Sequence, residues 1–191
     1  MTARDAGRVI AGTARGIRIE APGPGTRPLT DRVKQTLFAI LEPDLPGAHV
    51  VDLFAGSGAA GLEALSRGAV HVTFIEHDRA AATVIATNLA RTHLAGTRAR
   101  IVRADVLGWL AGPEPAIDRF DLAIVDPPYA EADLLVATLA ALGPHVRPGG
   151  RVVAKHAWRA DPPPQVGLLA SERTRRFGET TLTFYRRQED G

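Results

Sequence analysis

The chain contains no cysteine. That single absence removes disulfides, zinc sites of the Cys type, iron–sulfur clusters and any thiol nucleophile. Also lacking is any apolar run approaching the roughly 18 residues that a membrane-spanning helix needs. Met1 to Asp5 lead into no apolar signal core, so a cytoplasmic protein with no membrane partner is expected. No internal repeat or low-complexity run is present. Lysine is nearly absent too: only Lys34 and Lys155 stand among 23 basic residues, and the rest are arginine. What remains is 191 residues, 45% hydrophobic and 23% charged, enough for one sizeable core and a monomer.

The net charge of +2 conceals a partition. Positions 1–35 hold seven Lys/Arg and three acids, positions 36–146 seven and thirteen, and positions 147–187 nine and three. Both ends are therefore basic around an acidic middle. Planar arginine forks suit phosphate, and their segregation to the ends points to nucleic acid more strongly than their number does. An Arg-for-Lys habit of the whole sequence is the plainer explanation of the number.

Periodicity divides the middle into alternating strands and helices. Strands are expected at 49–54, 70–75, 99–102, 120–125 and 151–154, the last after a Pro148-Gly149-Gly150 turn. Helices are expected through 62–65, over 79–94, near 106–110 and over 134–142. That alternation implies a doubly wound, mostly parallel α/β sheet with right-handed crossovers. At the N-terminus Val9-Ile10-Ala11 and Gly16 to Ile19 predict a small hairpin turning at Gly12, followed by a helix from Thr30 or Asp31 to Leu41. At the C-terminus 166–169 and 181–185 predict two more strands, the last antiparallel. The expected architecture is a sheet of about seven strands (29–191) with a basic N-terminal hairpin extension (1–28).

Asp52-Leu53-Phe54-Ala55-Gly56-Ser57-Gly58-Ala59-Ala60-Gly61 sets glycines in G-x-G-x-x-G order between a strand and a helix. Such a loop lets a nucleoside cofactor approach the backbone, and Glu76, ending the next strand, can accept from ribose hydroxyls. A tight strand-to-helix turn and a nicotinamide site would use the same glycines. Asp52 favours a cofactor carrying a cation, because a carboxylate there repels a pyrophosphate. S-adenosylmethionine offers an α-ammonium group for Asp52 and a carboxylate for the following helix N-terminus.

The fourth predicted strand runs into Asp126-Pro127-Pro128-Tyr129. Two prolines remove two backbone donors and leave a carboxylate and carbonyls facing the carboxyl end of the sheet. Asp126 and the Pro127 carbonyl can accept both N–H bonds of an exocyclic amine, pyramidalise its nitrogen and aim the lone pair at a methyl donor. Tyr129 can stack on the base. A rigid turn with an outward Asp and a packed Tyr is the structural alternative.

These motifs resemble the class I S-adenosylmethionine-dependent methyltransferases. With Arg27-Pro28-Leu29-Thr30-Asp31-Arg32-Val33-Lys34 and the long glycine motif, residues 8–185 resemble the RsmD family of bacterial small-subunit rRNA guanine-N2 methyltransferases. Leu29 and Gln35 stand where that family often has Thr and Glu. The resemblance implies a Rossmann-like methyltransferase fold, S-adenosylmethionine as methyl donor, S-adenosylhomocysteine as product, and a guanine N2 in 16S rRNA of an assembled or assembling 30S subunit as target. It assigns Asp52, Phe54, Gly56, Gly58, Glu76, Asp105 and Val106 to the cofactor, with Glu76 on the ribose and Asp105 on the adenine amino group. An N-cap is the plainer role of Asp105. Thr30, Asp31 and Arg32 would lie over cofactor and substrate, although a helix cap would also explain them. Arg15, Arg18, Arg27, Arg32, Arg173, Arg175 and Arg176 are the candidate RNA contacts.

Other residues point elsewhere. His71, His77, His93, His145 and His156 lack metal-ligand spacing and are expected at the surface or edges, so no metal is expected. Trp109 and Trp158 are expected to anchor packing, and Lys155 to reach out to solvent. The absence of cysteine excludes the thiol-adduct route to methylated pyrimidine carbons. A nicotinamide oxidoreductase and a non-catalytic RNA-binding module remain as rivals, discriminated by Asp52 and Asp126-Pro127-Pro128-Tyr129. Within methyl transfer, adenine N6 in DNA or RNA and protein glutamine amides are separated from guanine only by the family resemblance.

Overall fold

The computed structural model describes residues 4–23, 31–112, 120–128 and 131–189. Among the described residues there are five α-helices and ten strands, the strands forming a two-stranded ribbon, β1 (Arg4–Arg8) with β2 (Arg18–Ala21), and one mixed sheet. The sheet comprises β3 (His49–Leu53), β4 (His71–Ile75), β5 (Ala99–Val102), β6 (Phe120–Val125), β7 (Val146–Ala157), β8 (Gln165–Val166), β9 (Leu169–Phe177) and β10 (Thr180–Arg187). Its order is β5-β4-β3-β6-β7-β10-β9-β8, parallel from β5 to β7 and antiparallel beyond. This is the expected doubly wound architecture with one strand more than expected, β9, lying between β10 and β8.

Helices α1 (Asp31–Leu41), α2 (Ala59–Ser66) and α3 (Arg79–Arg91) cover one face. Helices α4 (Val106–Ala111) and α5 (Ala132–Leu142) cover the other. The central strands read as continuous apolar runs because both faces are buried; Val50, Val51 and Leu53 are fully enclosed. All eight residues of α2 are buried, between the sheet on one side and the N-terminal ribbon on the other.

The ribbon departs from its expected register. Its first strand is Arg4–Arg8 rather than 9–11, and only Val9 continues the pairing, through bonds between Val9 and Ile17 and between Gly16 and Val9. The amides of Ile10 and Ala11 donate instead to the carboxylate of Glu63 on α2, at 2.8 and 3.0 Å. A buried carboxylate makes charge-assisted bonds stronger than a neutral ladder offers, so it captures the loop. Ser66 of the same helix accepts from Ala14 N–H and donates to the Ala11 carbonyl.

Two further differences lie in the C-terminal half. Pro148-Gly149-Gly150 does not precede the fifth strand but bulges inside it: Phe120 pairs with Val146 while Leu122 pairs with Arg151, and Gly149 takes φ +73°. The expected strand at 166–169 is β8, a tight turn and the first residue of β9. The rest of β9 escapes detection because its segment Glu172–Arg176 is exposed on both faces, without alternation.

Candidate active site

In a parallel sheet the strands deliver their last residues to one rim, and ligands bind where the strand order reverses. Here the reversal falls between β3 and β6, which are adjacent although three strands apart in sequence. Asp52 lies near the end of β3, and Asp126 directly follows β6, its amide donating to the Leu53 carbonyl at 3.4 Å. Glu76 follows β4. Asp105 follows β5 and caps α4, its Oδ1 accepting from Gly108 N–H at 2.8 Å.

Each carboxylate is held differently. Asp52, 2% exposed, accepts from Gly61 N–H at 2.9 Å through Oδ2. Burial pushes its carboxyl up to about 8, helped by the negative charges of Asp126 and Glu76 and opposed by the Gly61 bond. Glu76 accepts from Gly56 N–H and Asp78 N–H, both at 2.8 Å, so it ties the glycine loop to the start of α3. Lys155 Nζ lies 2.8 Å from both oxygens of Asp126. Burial still raises the Asp126 carboxyl above the ordinary carboxylate range, against the pull of Lys155.

Lys155 is the main surprise. Instead of reaching solvent it is 6% exposed. The sequence signal was its place directly after Ala154, which pairs with Val125; the next residues along the two strands are Lys155 and Asp126. His156 likewise is buried rather than at an edge, bonded to Thr183 Oγ1. Trp109 packs in the core as expected, but Trp158 is 39% exposed.

The glycine loop is shaped by close approach. Gly58 caps α2 in the left-handed region, φ +77°, and a Cβ on Gly61 would lie 2.2 Å from a ring carbon of Phe74. Gly61 therefore sets the distance of α2 from β4. Phe54, a non-glycine residue at φ +60°, is the strained member of the loop and packs on the second core cluster. Asn88 of α3, fully buried, donates to the carbonyls of Ser57 in the loop and Glu20 in β2, both at 2.9 Å. Sequence reasoning passed over Asn88 and Glu63, since a single polar residue in an apolar helix carries no signal of what it faces.

The structure brings Asp52, Phe54, Gly56, Gly58, Glu76, Asp105 and Asp126–Pro127 to the carboxyl rim. Val106 begins α4 there with its side chain buried in the core. Arg175 pairs across β10 with Leu182, which pairs with Lys155, so it stands two strands from the Asp126 ion pair, about 10 Å. Arg173 and Arg175 line a groove with Arg151 against Thr36, Ile40 and Pro43. Arg32 is exposed in the first turn of α1. Arg18 is ion-paired with Asp5. Arg15 is exposed in the loop that docks on Ser66, at the far end of α2 from the rim. Arg27, Thr30 and Tyr129 lie outside the described residues. Among the described residues no cluster of three or more His, Asp or Glu is placed to hold a metal, and no helix is long and apolar enough to cross a membrane.

The chain has relatives among known proteins. Residues 7–186 match the family described as Conserved hypothetical protein 95. YlbH of Bacillus subtilis, provisionally named an rRNA methyltransferase, is 34% identical over 95% of this chain and 99% of its own. Ribosomal RNA small subunit methyltransferase D of Escherichia coli (strain K12) is 44% identical over 64% of this chain and 60% of its own. The solved structure of Escherichia coli yhhF, provisionally named a methyltransferase, superposes with a TM-score of 0.83 at 33% identity, covering 98% of this chain and all of that one. The chain thus belongs to the Conserved hypothetical protein 95 family, that of the RsmD-like methyltransferases.

Proposed function

We propose that this protein methylates the exocyclic N2 of a guanine in small-subunit rRNA, with S-adenosylmethionine as donor. The observation that carries this reading is Asp126-Pro127 at the β3/β6 reversal, beside the buried carboxylates of Asp52 and Glu76. The donor set fits the cofactor. Asp52, buried and held by Gly61 N–H, suits an ammonium group that would draw it into its ionised form, Glu76 and Asp105 suit the hydroxyl and amino donors of adenosine, and the start of α2 with Gly56 and Gly58 suits a carboxylate. Phe54 and the Val106 backbone complete that wall. When bound, the cofactor supplies an electrophilic methyl group on a sulfonium.

Asp126 and the Pro127 carbonyl accept the two N–H bonds of guanine N2 and turn its lone pair toward that methyl. Lys155 favours the ionised, accepting form of Asp126 against its burial. The N–C bond forms as the C–S bond breaks, the sulfonium becomes a thioether, and the nitrogen then sheds a proton to Asp126 or water. Positioning and electrostatics supply the acceleration, and no covalent enzyme intermediate is needed. A target base inside a helix must first be swung out, at about a few kcal/mol, and Tyr129 stacking offsets part of that cost.

Arg173, Arg175 and Arg176 on β9 are the leading RNA contacts, joined by Arg32 in the first turn of α1 and by Arg27 and Thr30, which precede it in sequence. Arg15 and Arg18 would hold more distant backbone as part of the basic N-terminal extension, residues 1–28. The names of the E. coli and B. subtilis relatives support rRNA as the substrate class. So small a chain would draw on ribosomal protein neighbours in an assembled or assembling 30S subunit. The test is incubation with tritiated S-adenosylmethionine and 30S subunits, naked 16S rRNA or DNA, followed by nucleoside analysis. Label in N2-methylguanosine from the small subunit is expected, and an Asp126→Ala variant should lose it. Label in N6-methyladenine would transfer the reading to adenine, and no label in any nucleic acid would overturn it.

A further inference from the structure

Trp158 occupies a position that packing does not explain. It follows β7 at the active-site rim, its backbone N–H donating to the Glu179 carbonyl at 2.9 Å, so the ring is fixed between the end of β7 and the β9–β10 turn. Arg159 and Arg176 each lay a guanidinium on the indole, 4.7 and 4.2 Å from a ring centroid. Arg176 Nε donates to the Gly178 carbonyl, which aims the guanidinium across the ring. Among the described residues neither guanidinium has a carboxylate partner, although Asp161 and Glu179 belong to the same stretch.

An exposed indole already set in a π-stack with two unneutralised guanidiniums offers a nucleotide what it needs: an aromatic face for the base and forked donors for the phosphate. Its place fits as well. Trp158 stands three positions beyond Lys155, at most about 11 Å of extended chain, which is the reach of a neighbouring nucleotide.

We propose that Trp158, Arg159 and Arg176 form a docking platform for a single-stranded RNA segment beside the target nucleotide. An entering base replaces one guanidinium on the indole, and the displaced arginine takes that nucleotide's phosphate. Duplex RNA, with its bases already stacked, does not fit this mode. The proposal rests on the reading of rRNA as substrate.

The protein has two tryptophans, and Trp109 is buried, so emission changes on adding RNA report Trp158. Titration with a short polyadenylate oligoribonucleotide should quench emission saturably, a duplex of equal length should not, and Trp158→Phe should abolish the change. Trp158→Ala should weaken RNA affinity about tenfold, read as a raised KM for rRNA with kcat kept, while Trp158→Phe restores most of the affinity. Arg176→Ala should lower the salt dependence of binding by about one counterion. Retained donor binding by Trp158→Ala shows that it is folded. Unchanged emission at saturating RNA, or wild-type RNA affinity in Trp158→Ala, overturns the platform. If the wild type binds and is quenched by RNA yet methylates no rRNA, the substrate reading fails and the platform stands. If Trp158→Ala methylates rRNA with an unaltered KM, the platform fails and the substrate reading stands.

Discussion

Two regions of this molecule bury charge, and they treat it in opposite ways. Where the N-terminal ribbon meets α2, the charge is matched. Glu63, fully enclosed, takes bonds from Ile10 N–H, Ala11 N–H and Arg67 Nε, and Lys34, equally enclosed, donates to the Arg8 carbonyl. At the carboxyl rim, Asp52, Glu76 and Asp126 gather with one described cation among them, Lys155, and burial pushes the Asp52 and Asp126 carboxyls upward. In the matched region burial pulls the Lys34 ammonium down while Glu63 opposes it, and the bonds to Glu63 hold the ribbon to the domain. The unmatched one carries surplus acceptor capacity at a protein edge, the state in which a cationic, donor-rich ligand has most to offer.

The sharpest way to break the contrast is at the matched side. Glu63→Ala strands three donors at once and should destabilise the fold by about 3–5 kcal/mol, a large drop in melting temperature by calorimetry. On the unmatched side the loss should be of chemistry. Asp126→Ala is expected to slow single-turnover methylation about 10²–10³-fold, with donor affinity changed far less. Asn88→Ala joins both regions, because one side chain holds the Ser57 and Glu20 carbonyls. It should cost about 1–3 kcal/mol of stability and also weaken donor binding, seen by denaturant titration and ligand titration on the same variant.

A further effect is one of pH. A carboxyl whose folded value stands near 8, above its value of about 3.9 in the unfolded chain, contributes stability that is intact below about pH 4. That contribution is lost as pH rises through 8. The ligand-free protein should therefore melt at progressively lower temperature from pH 5 to 8 on account of this group, and Asp52→Asn should flatten the slope.

How much of this was legible in the residues depends on whether a motif faces outward or inward. Gly56 to Gly61, Glu76 and Asp126-Pro127 announce themselves by spacing against strand ends, and the sheet delivers them to one rim as the alternation of strand and helix requires. Glu63, Asn88 and Lys155 each depend on a partner far away in sequence: Ile10, Glu20 and Asp126 lie 53, 68 and 29 positions off. Local pattern carries no trace of such pairs. Strand β9 was hidden for a different reason, since its arginines leave no apolar alternation, and the ribbon register was displaced because Glu63 outcompetes the ladder for the Ile10 and Ala11 amides.

That Asp52 takes a cationic group is tested most directly by calorimetric titration with S-adenosylmethionine. Performed at pH 7 in buffers of different ionisation enthalpy, it measures protons released on binding. Asp52, largely protonated at that pH in the free protein, must ionise to meet the ammonium group. Release approaching one proton is predicted, with affinity that tightens by up to about tenfold per pH unit as pH rises toward 8, and loss of both in Asp52→Asn. Binding with no proton release and equal affinity in Asp52→Asn would contradict it.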